Sequence, residues 1–214
     1  FFPNVKMWGF DSFAGLPAES PGLDTPHPDW QPGSYSATAK TEEIRKRLGP
    51  GRTGLIVGFY DKSLTANLAA SRGMSRAFYI DIDVDLYTSS LQALDWMFAS
   101  GLVRPGTVVG YDDWWVIPCT RGGEKLHPLH SAEGRAHAEI ARKQAVSFRC
   151  VAGPCKFKSC QSDSCCWGPI FIVDALGGDT VPDHGFHMSE REVAQWKRLN
   201  PHCKAISQLP QWQI

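Results

Sequence analysis

Carboxylates fall at alternate positions in one apolar run of this chain. Residues 77–87 read Ala-Phe-Tyr-Ile-Asp-Ile-Asp-Val-Asp-Leu-Tyr, with acids at Asp81, Asp83 and Asp85. Side chains alternate faces along a strand, so the spacing predicts that all three point the same way. Like charges on one face repel unless a cation, a substrate or water takes them up. A second apolar run, residues 107–115, carries Asp112 and Asp113 before Trp114 and Trp115. Two strands that each end in carboxylates predict one oxygen-rich site at the edge of a sheet.

The elements that must position these acids follow from period and punctuation. Residues 5–10 read as a short strand ending at Asp11-Ser12. Residues 14–36 are rich in Gly, Pro, Ser and Asp without a period, as in a lid or acceptor loop. Thr41 as N-cap, Glu42 and Glu43 in the first turn, and the stop at Gly49-Pro50 predict a helix over 41–48. A strand is expected over 54–59, a helix over 63–71, and the acidic strand over 77–85. Ser89 and Gln92 match a capping box for a helix that buries Leu91, Leu94 and Phe98. A strand over 107–111, a helix over 130–144 and strands over 145–151 and 168–174 follow, the last two as an antiparallel hairpin. Ser189 and Glu192 form a second capping box, opening a helix to about residue 199.

Strands alternating with helices predict an α/β class fold: a Rossmann-like, mainly parallel sheet with helices on both faces and a terminal antiparallel hairpin. Open sheets of this kind bind ligands at the carboxyl ends of their strands. Asp11, Gly58, Phe59, Asp83, Asp85, Asp112 and Asp113 all fall at such ends.

At 214 residues, 1–214 is expected to be a single domain. Lys plus Arg and Asp plus Glu are both 22, and this balance argues against nucleic acid as the main partner. No apolar run approaches the roughly 20 residues that span a bilayer, so a soluble, cytoplasmic protein is expected. The start, Phe1-Phe2-Pro3, is neither an initiator Met nor a signal peptide, and reads as processed or truncated. Five of the seven Cys lie at 150, 155, 160, 165 and 166, in a Cys-rich hairpin insert over 150–167. Disulfides there would imply an oxidising compartment, whereas zinc would normally show C-x2-C pairs, which are lacking. Free thiols are the third reading.

Four segments occur in an order that resembles the class I S-adenosylmethionine-dependent methyltransferases. Within them the chain is similar to the macrocin and mycinamicin sugar O-methyltransferase family. The segments are Trp8-Gly9-Phe10-Asp11-Ser12-Phe13-Ala14-Gly15-Leu16-Pro17, Val57-Gly58-Phe59-Tyr60-Asp61-Lys62-Ser63-Leu64, Ile82-Asp83-Val84-Asp85-Leu86-Tyr87-Thr88-Ser89-Ser90, and Pro105-Gly106-Thr107 through Tyr111-Asp112-Asp113. The resemblance implies that Asp11, with Ser12, binds the cofactor ribose and that Gly58 and Phe59 pass the adenine. It implies that Asp83, Asp112 and Asp113 hold Mg2+, a hard cation suited to oxygen donors. Asp83 and Asp85 are the implied catalytic acids, Asp85 as a general base or metal-site partner. In related catechol-type enzymes a Lys sits three residues after the first metal Asp. That position is Leu86 here, so a lysine base is not supported.

The implied activity is metal-assisted O-methyl transfer to a small-molecule hydroxyl, of the sugar or polyketide glycoside class. The family's first strand and Gly-rich turn have no counterpart in this sequence. The protein is therefore expected either to be longer or to lack one cofactor wall. In the second case it would be a non-catalytic subunit in a larger complex or homo-oligomer. A metal-dependent hydrolase is weaker, because no phosphate loop of the G-x-x-x-x-G-K type is present. Trp114 and Trp115 fit an acceptor pocket or the core. His127, His130 and His137 are candidate bases or surface residues. Asp81 reads as a structural partner of Arg76 or of a helix N-terminus.

Overall fold

The computed structural model describes residues 5–21, 23, 30–48, 51–115, 127–155 and 168–198. In chain order the elements are β1 (Met7–Asp11), α1 (Thr41–Leu48), β2 (Thr53–Val57), α2 (Tyr60–Ser63), α3 (Leu68–Ser71), β3 (Tyr79–Ile82) and α4 (Tyr87–Ala99). There follow β4 (Val108–Tyr111), α5 (Ala132–Lys143), β5 (Val146–Ala152), β6 (Ile170–Leu176) and α6 (Glu190–Arg198).

The strands form two sheets. β1 and β2 pair in parallel, Met7 opposite Thr53 through Asp11 opposite Val57. The second sheet has the order β3-β4-β6-β5, with β3 parallel to β4 and both β4–β6 and β6–β5 antiparallel. The expected hairpin is therefore present. β1 and β3 each pair on one side only among the described strands.

The four-stranded sheet carries the main core. Ile80, Ile82, Val109, Phe148, Phe171 and Val173 point inward to Leu94 and Phe98 of α4 and Ile140 of α5. Each large apolar side chain buried there contributes roughly 1.5–3 kcal/mol. α5 is rich in small residues, which lets its backbone approach closely. A Cβ on Gly134 would fall 2.3 Å from the Pro128 carbonyl oxygen. α4 is apolar on two faces because it joins the two sheets. Leu94 and Phe98 face the large core, while Trp96 meets Phe10 of β1 edge-on, ring centroids 5.6 Å apart.

Several expectations are corrected. The helix over 63–71 is two single turns, α2 and α3. Polar side chains compete with the helical ladder here: the Ser63 hydroxyl donates to the Gly58 carbonyl, and the Thr65 carbonyl accepts from Trp96 Nε1 at 2.9 Å. Ser89 is not an N-cap, because α4 begins two residues earlier and Ser89 is buried. β3 ends at Ile82, so Asp81, Asp83 and Asp85 do not share one strand face. Asp81 accepts from the Tyr79 hydroxyl at 3.0 Å rather than pairing with Arg76. The helix expected over 130–144 is a 3-10 turn, Pro128–His130, followed by α5. The second capping box forms as expected, with Ser189 N donating to Glu192 Oε2 at 2.9 Å and Glu192 N donating to Ser189 Oγ at 3.3 Å. Cys150 and Cys155 form a disulfide, and Cys160, Cys165 and Cys166 lie outside the described residues. No helix among the described residues is long and apolar enough to cross a membrane.

Candidate functional site: an acidic cleft between the two sheets

Parallel pairing of β3 with β4 sets Ile82 opposite Tyr111, and Asp112 N donates to the Ile82 carbonyl at 3.0 Å. The residues after both strands therefore emerge side by side. Carboxylate oxygens of Asp83, Asp112 and Asp113 all lie within 4.8 Å of one another. Below them Glu133, in the first turn of α5, is fully buried. Its Oε1 accepts from Val84 N at 3.3 Å and its Oε2 from Asp113 N at 3.0 Å. One carboxyl group thus ties together the two loops that carry the acids.

Asp85 sits in the left-handed region, φ 60, and hydrogen-bonds to Asp113 and Trp30. Such a conformation in a non-glycine residue stores strain and is found often at functional sites. Burial pushes Asp85 up to about 6, aided by Asp83 and Asp112 and opposed by the hydrogen bonds to Asp113 and Trp30. Burial also pushes Asp113 up to about 8, with Asp85, Asp112 and Asp83 adding to it. Burial and crowding by like charge therefore favour one shared proton on the Asp85–Asp113 pair. Asp83 and Asp112 are raised as well, first by burial and then by neighbouring carboxylates. The charges acting on these two are all negative, which is the environment a divalent cation relieves.

The opposite wall comes from the small sheet. Asp11 ends β1, and its Oδ1 accepts from Phe13 N at 2.6 Å, leaving the second oxygen for a ligand. The Ser12 hydroxyl is used within its own turn, donating to the Gly15 carbonyl and accepting from Ala14 N. Gly58 follows β2 at φ 141, a conformation open to glycine, and brings the exposed Phe59 to the cleft. The Tyr60 hydroxyl donates to the Phe10 carbonyl at 3.2 Å. It is pushed up to about 12, mainly by burial and then by Asp11 and Asp83. The two walls enclose a cleft of about 1050 Å³ lined by Asp11, Ser12, Gly58, Phe59, Asp83, Asp85, Asp112 and Asp113. The eight residues that the resemblance assigns to the cofactor, the cation and proton transfer all line it.

The described parts of the 14–36 stretch line this cleft, with Leu16, Pro17, Trp30 and Tyr35 among them. Leu16 N donates to the Ser34 carbonyl and Gly33 N to the Leu16 carbonyl, both at 2.9 Å. Glu19 caps α4, accepting from Tyr87 N at 2.9 Å and Thr88 N at 3.0 Å, and it also accepts a hydrogen bond from the Thr88 hydroxyl. Trp30 is buried against Leu16, Leu86 and Ala132. Glu19, Trp30 and Glu133 escaped the sequence reading. Glu133 looks like an ordinary first-turn acid, and Glu19 has no period around it.

Other candidates lie elsewhere. Trp114 and Trp115 are core residues, packed on Phe186. His137 is fully buried, bonded to the Tyr111 hydroxyl and the His184 carbonyl, both at 2.8 Å. Burial pushes it down to about 3, so it is a neutral structural group. His127 and His130 stack on each other beside the 3-10 turn.

No family model matches this chain. No curated protein matches it. Solved structures resemble it, two methyltransferases among them. The calicheamicin methyltransferase CalS11 aligns with a TM-score of 0.53 and 15% identity over 78% of this chain and 60% of that one. The O-methyltransferase NovP aligns with a TM-score of 0.49 and 15% identity over 80% of this chain and 61% of that one. The chain thus spans about 60% of the length of these structures. Its strand order, terminal hairpin and likeness to CalS11 make it a class I methyltransferase-like fold.

Proposed function

We propose that this protein is an S-adenosylmethionine-dependent O-methyltransferase, assisted by a divalent cation, that acts on a hydroxyl of a small molecule of the sugar or polyketide glycoside class. One observation carries the reading: a single cleft sets the three-carboxylate cluster opposite the turns after β1 and β2. The free oxygen of Asp11 suits ribose hydroxyls, Phe59 offers an apolar face to the adenine, and Gly58 leaves room beside it. Ser12 holds the Asp11 turn in shape. Asp83, Asp112 and Asp113 are hard oxygen donors of the kind that Mg2+ takes from protein while keeping some waters. The cofactor supplies an electrophilic methyl group, and the cation lowers the pKa of an acceptor hydroxyl bound to it.

The chain's own residues do the rest. Glu133 holds the two acidic loops at fixed spacing. Asp85, raised to about 6, is suited to accept the acceptor's proton near neutral pH. Trp30, buried against Leu16, Leu86 and Ala132, covers one side of the cleft and excludes water there, which strengthens the electrostatics beside it.

Calorimetry with S-adenosylhomocysteine, with and without Mg2+, tests the reading. Binding of both, lost for the cation in Asp83→Asn, supports it. Failure of the full-length protein to bind S-adenosylhomocysteine would sink it and favour a non-catalytic subunit.

A further inference from the structure

A second group of cation donors lies outside the acidic cleft, in the loop between β6 and α6. Asp183, His184 and His187 present one carboxylate oxygen and two imidazole nitrogens, all within 4.8 Å of one another. The geometry points to a second metal site here, taking a borderline transition-metal cation of the zinc type through Asp183, His184 and His187. It does not rest on the methyltransferase reading.

The donor chemistry selects the cation. Two imidazoles and one carboxylate suit Zn2+ and its neighbours, whereas Mg2+ prefers oxygen alone. Three protein ligands leave a fourth tetrahedral position for water or another group.

The base of the site is rigid. Asp183 is bridged to β5 through both backbone groups, its N donating to Val146 at 3.0 Å and its carbonyl accepting from Phe148 N at 2.7 Å. The His184 carbonyl takes the buried His137 Nε2 at 2.8 Å. Gly185, at φ 67, lies so close to β5 that a Cβ would fall 2.5 Å from the Phe148 carbonyl oxygen. Phe186 is fully buried on Trp114 and Trp115. Four consecutive residues, Asp183 to Phe186, are thus locked from below, and two of the three donors, Asp183 and His184, project from a fixed frame.

The side chains are already gathered. Asp183 Oδ1 lies 3.0 Å from His187 Nε2 and accepts from Gly185 N at 2.8 Å. Phe186 N donates to His184 Nδ1 at 3.2 Å, which fixes that ring. The two imidazoles stand with centroids 4.9 Å apart at 42°.

Long-range 1H–15N NMR of the imidazoles during titration with Zn2+ tests the site directly. One equivalent is expected to shift His184 and His187 together, in wild type and in Asp83→Asn alike, and Mg2+ is expected to leave both unmoved. His187→Ala, at an exposed side chain, should abolish the His184 shift and weaken Zn2+ at this site by about tenfold or more. If neither ring responds to Zn2+, or His184 responds equally in His187→Ala, the site does not exist and the cluster is a plain Asp–His pair.

Discussion

The two sheets that face each other across the cleft are built to different standards. The four-stranded sheet supplies all three carboxylates of the acidic cluster, and its inward residues are essentially inaccessible, with Val109 and Phe171 at 0% exposure. In the two-stranded sheet only Ile56 is buried, Met7 is 62% exposed, and the attachment to the rest runs largely through Phe10 on Trp96. The difference follows from what each half must hold. Several carboxylates a few ångströms apart push against whatever carries them, so they need a close-packed foundation. The opposite wall carries one carboxylate, Asp11, at the end of β1 and bears no such load.

The comparison breaks most visibly in stability. Phe171→Ala removes a ring packed on Tyr111, Trp114, His137 and Phe148, and should cost about 3–5 kcal/mol. Phe10→Ala removes a half-buried ring and should cost about 1–2 kcal/mol. Equilibrium denaturation measures both, and equal losses would mean that the small sheet is no weaker than the large one.

Glu133 is where foundation and site meet. Glu133→Ala leaves the half-buried Val84 and Asp113 amides without their acceptor, at about 1–3 kcal/mol. The same change should weaken Mg2+ about 10–100-fold, because the carboxylates lose their common anchor. A Mg2+ titration that leaves affinity unchanged while stability falls would reduce Glu133 to packing alone.

Asp113 sharpens the contrast through pH. Its folded value, about 8, lies above the ordinary carboxylate value of about 4, so its proton stabilises the fold. That contribution is complete below about pH 4 and is lost as pH rises through about 8. Asp113→Asn removes the loss, and at pH 8 without metal should gain of the order of 1 kcal/mol, roughly 2–4 °C in Tm. With Mg2+ the order should reverse, since wild type gains binding energy that the variant has lost. Mg2+ affinity of wild type should rise with pH over the same window, because the ion must displace the Asp113 proton.

Much of the large sheet was legible because its strands are short apolar runs with clear stops, and the acids at the ends of β3 and β4 stand out against them. The split into two sheets was not. The pattern of β1 and of β3 is the same whether or not their outer edges are covered, so nothing in Met7 to Asp11 announces a free edge. The failure at Asp81, Asp83 and Asp85 is one of length: alternation continues in the sequence past Ile82, while the ladder stops there. Glu133 was illegible for a related reason. Among Ala and Gly in a first helical turn it reads as a solvated acid, and its burial comes only from packing under loops 20 to 49 residues away. Ser89 was displaced as a cap by a nonlocal competitor. Glu19, 68 residues before Tyr87, takes the free amides at the start of α4.

That substitution yields the smallest expected effect, and one that bears on the weaker side of the cleft. Glu19→Gln keeps shape and one acceptor oxygen but removes the charge that the α4 N-terminus favours, at about 0.5–1 kcal/mol. Since Glu19 bonds the 14–36 loop to α4, the loss should fall on the loop rather than on the fold. Hydrogen exchange should quicken at Tyr87, Thr88 and the Leu16–Ser34 pair, while Val109 and Phe171 keep their protection. Faster exchange throughout the four-stranded sheet would show instead that the loop braces the foundation, and the division between a rigid acidic half and an adjustable half would fail.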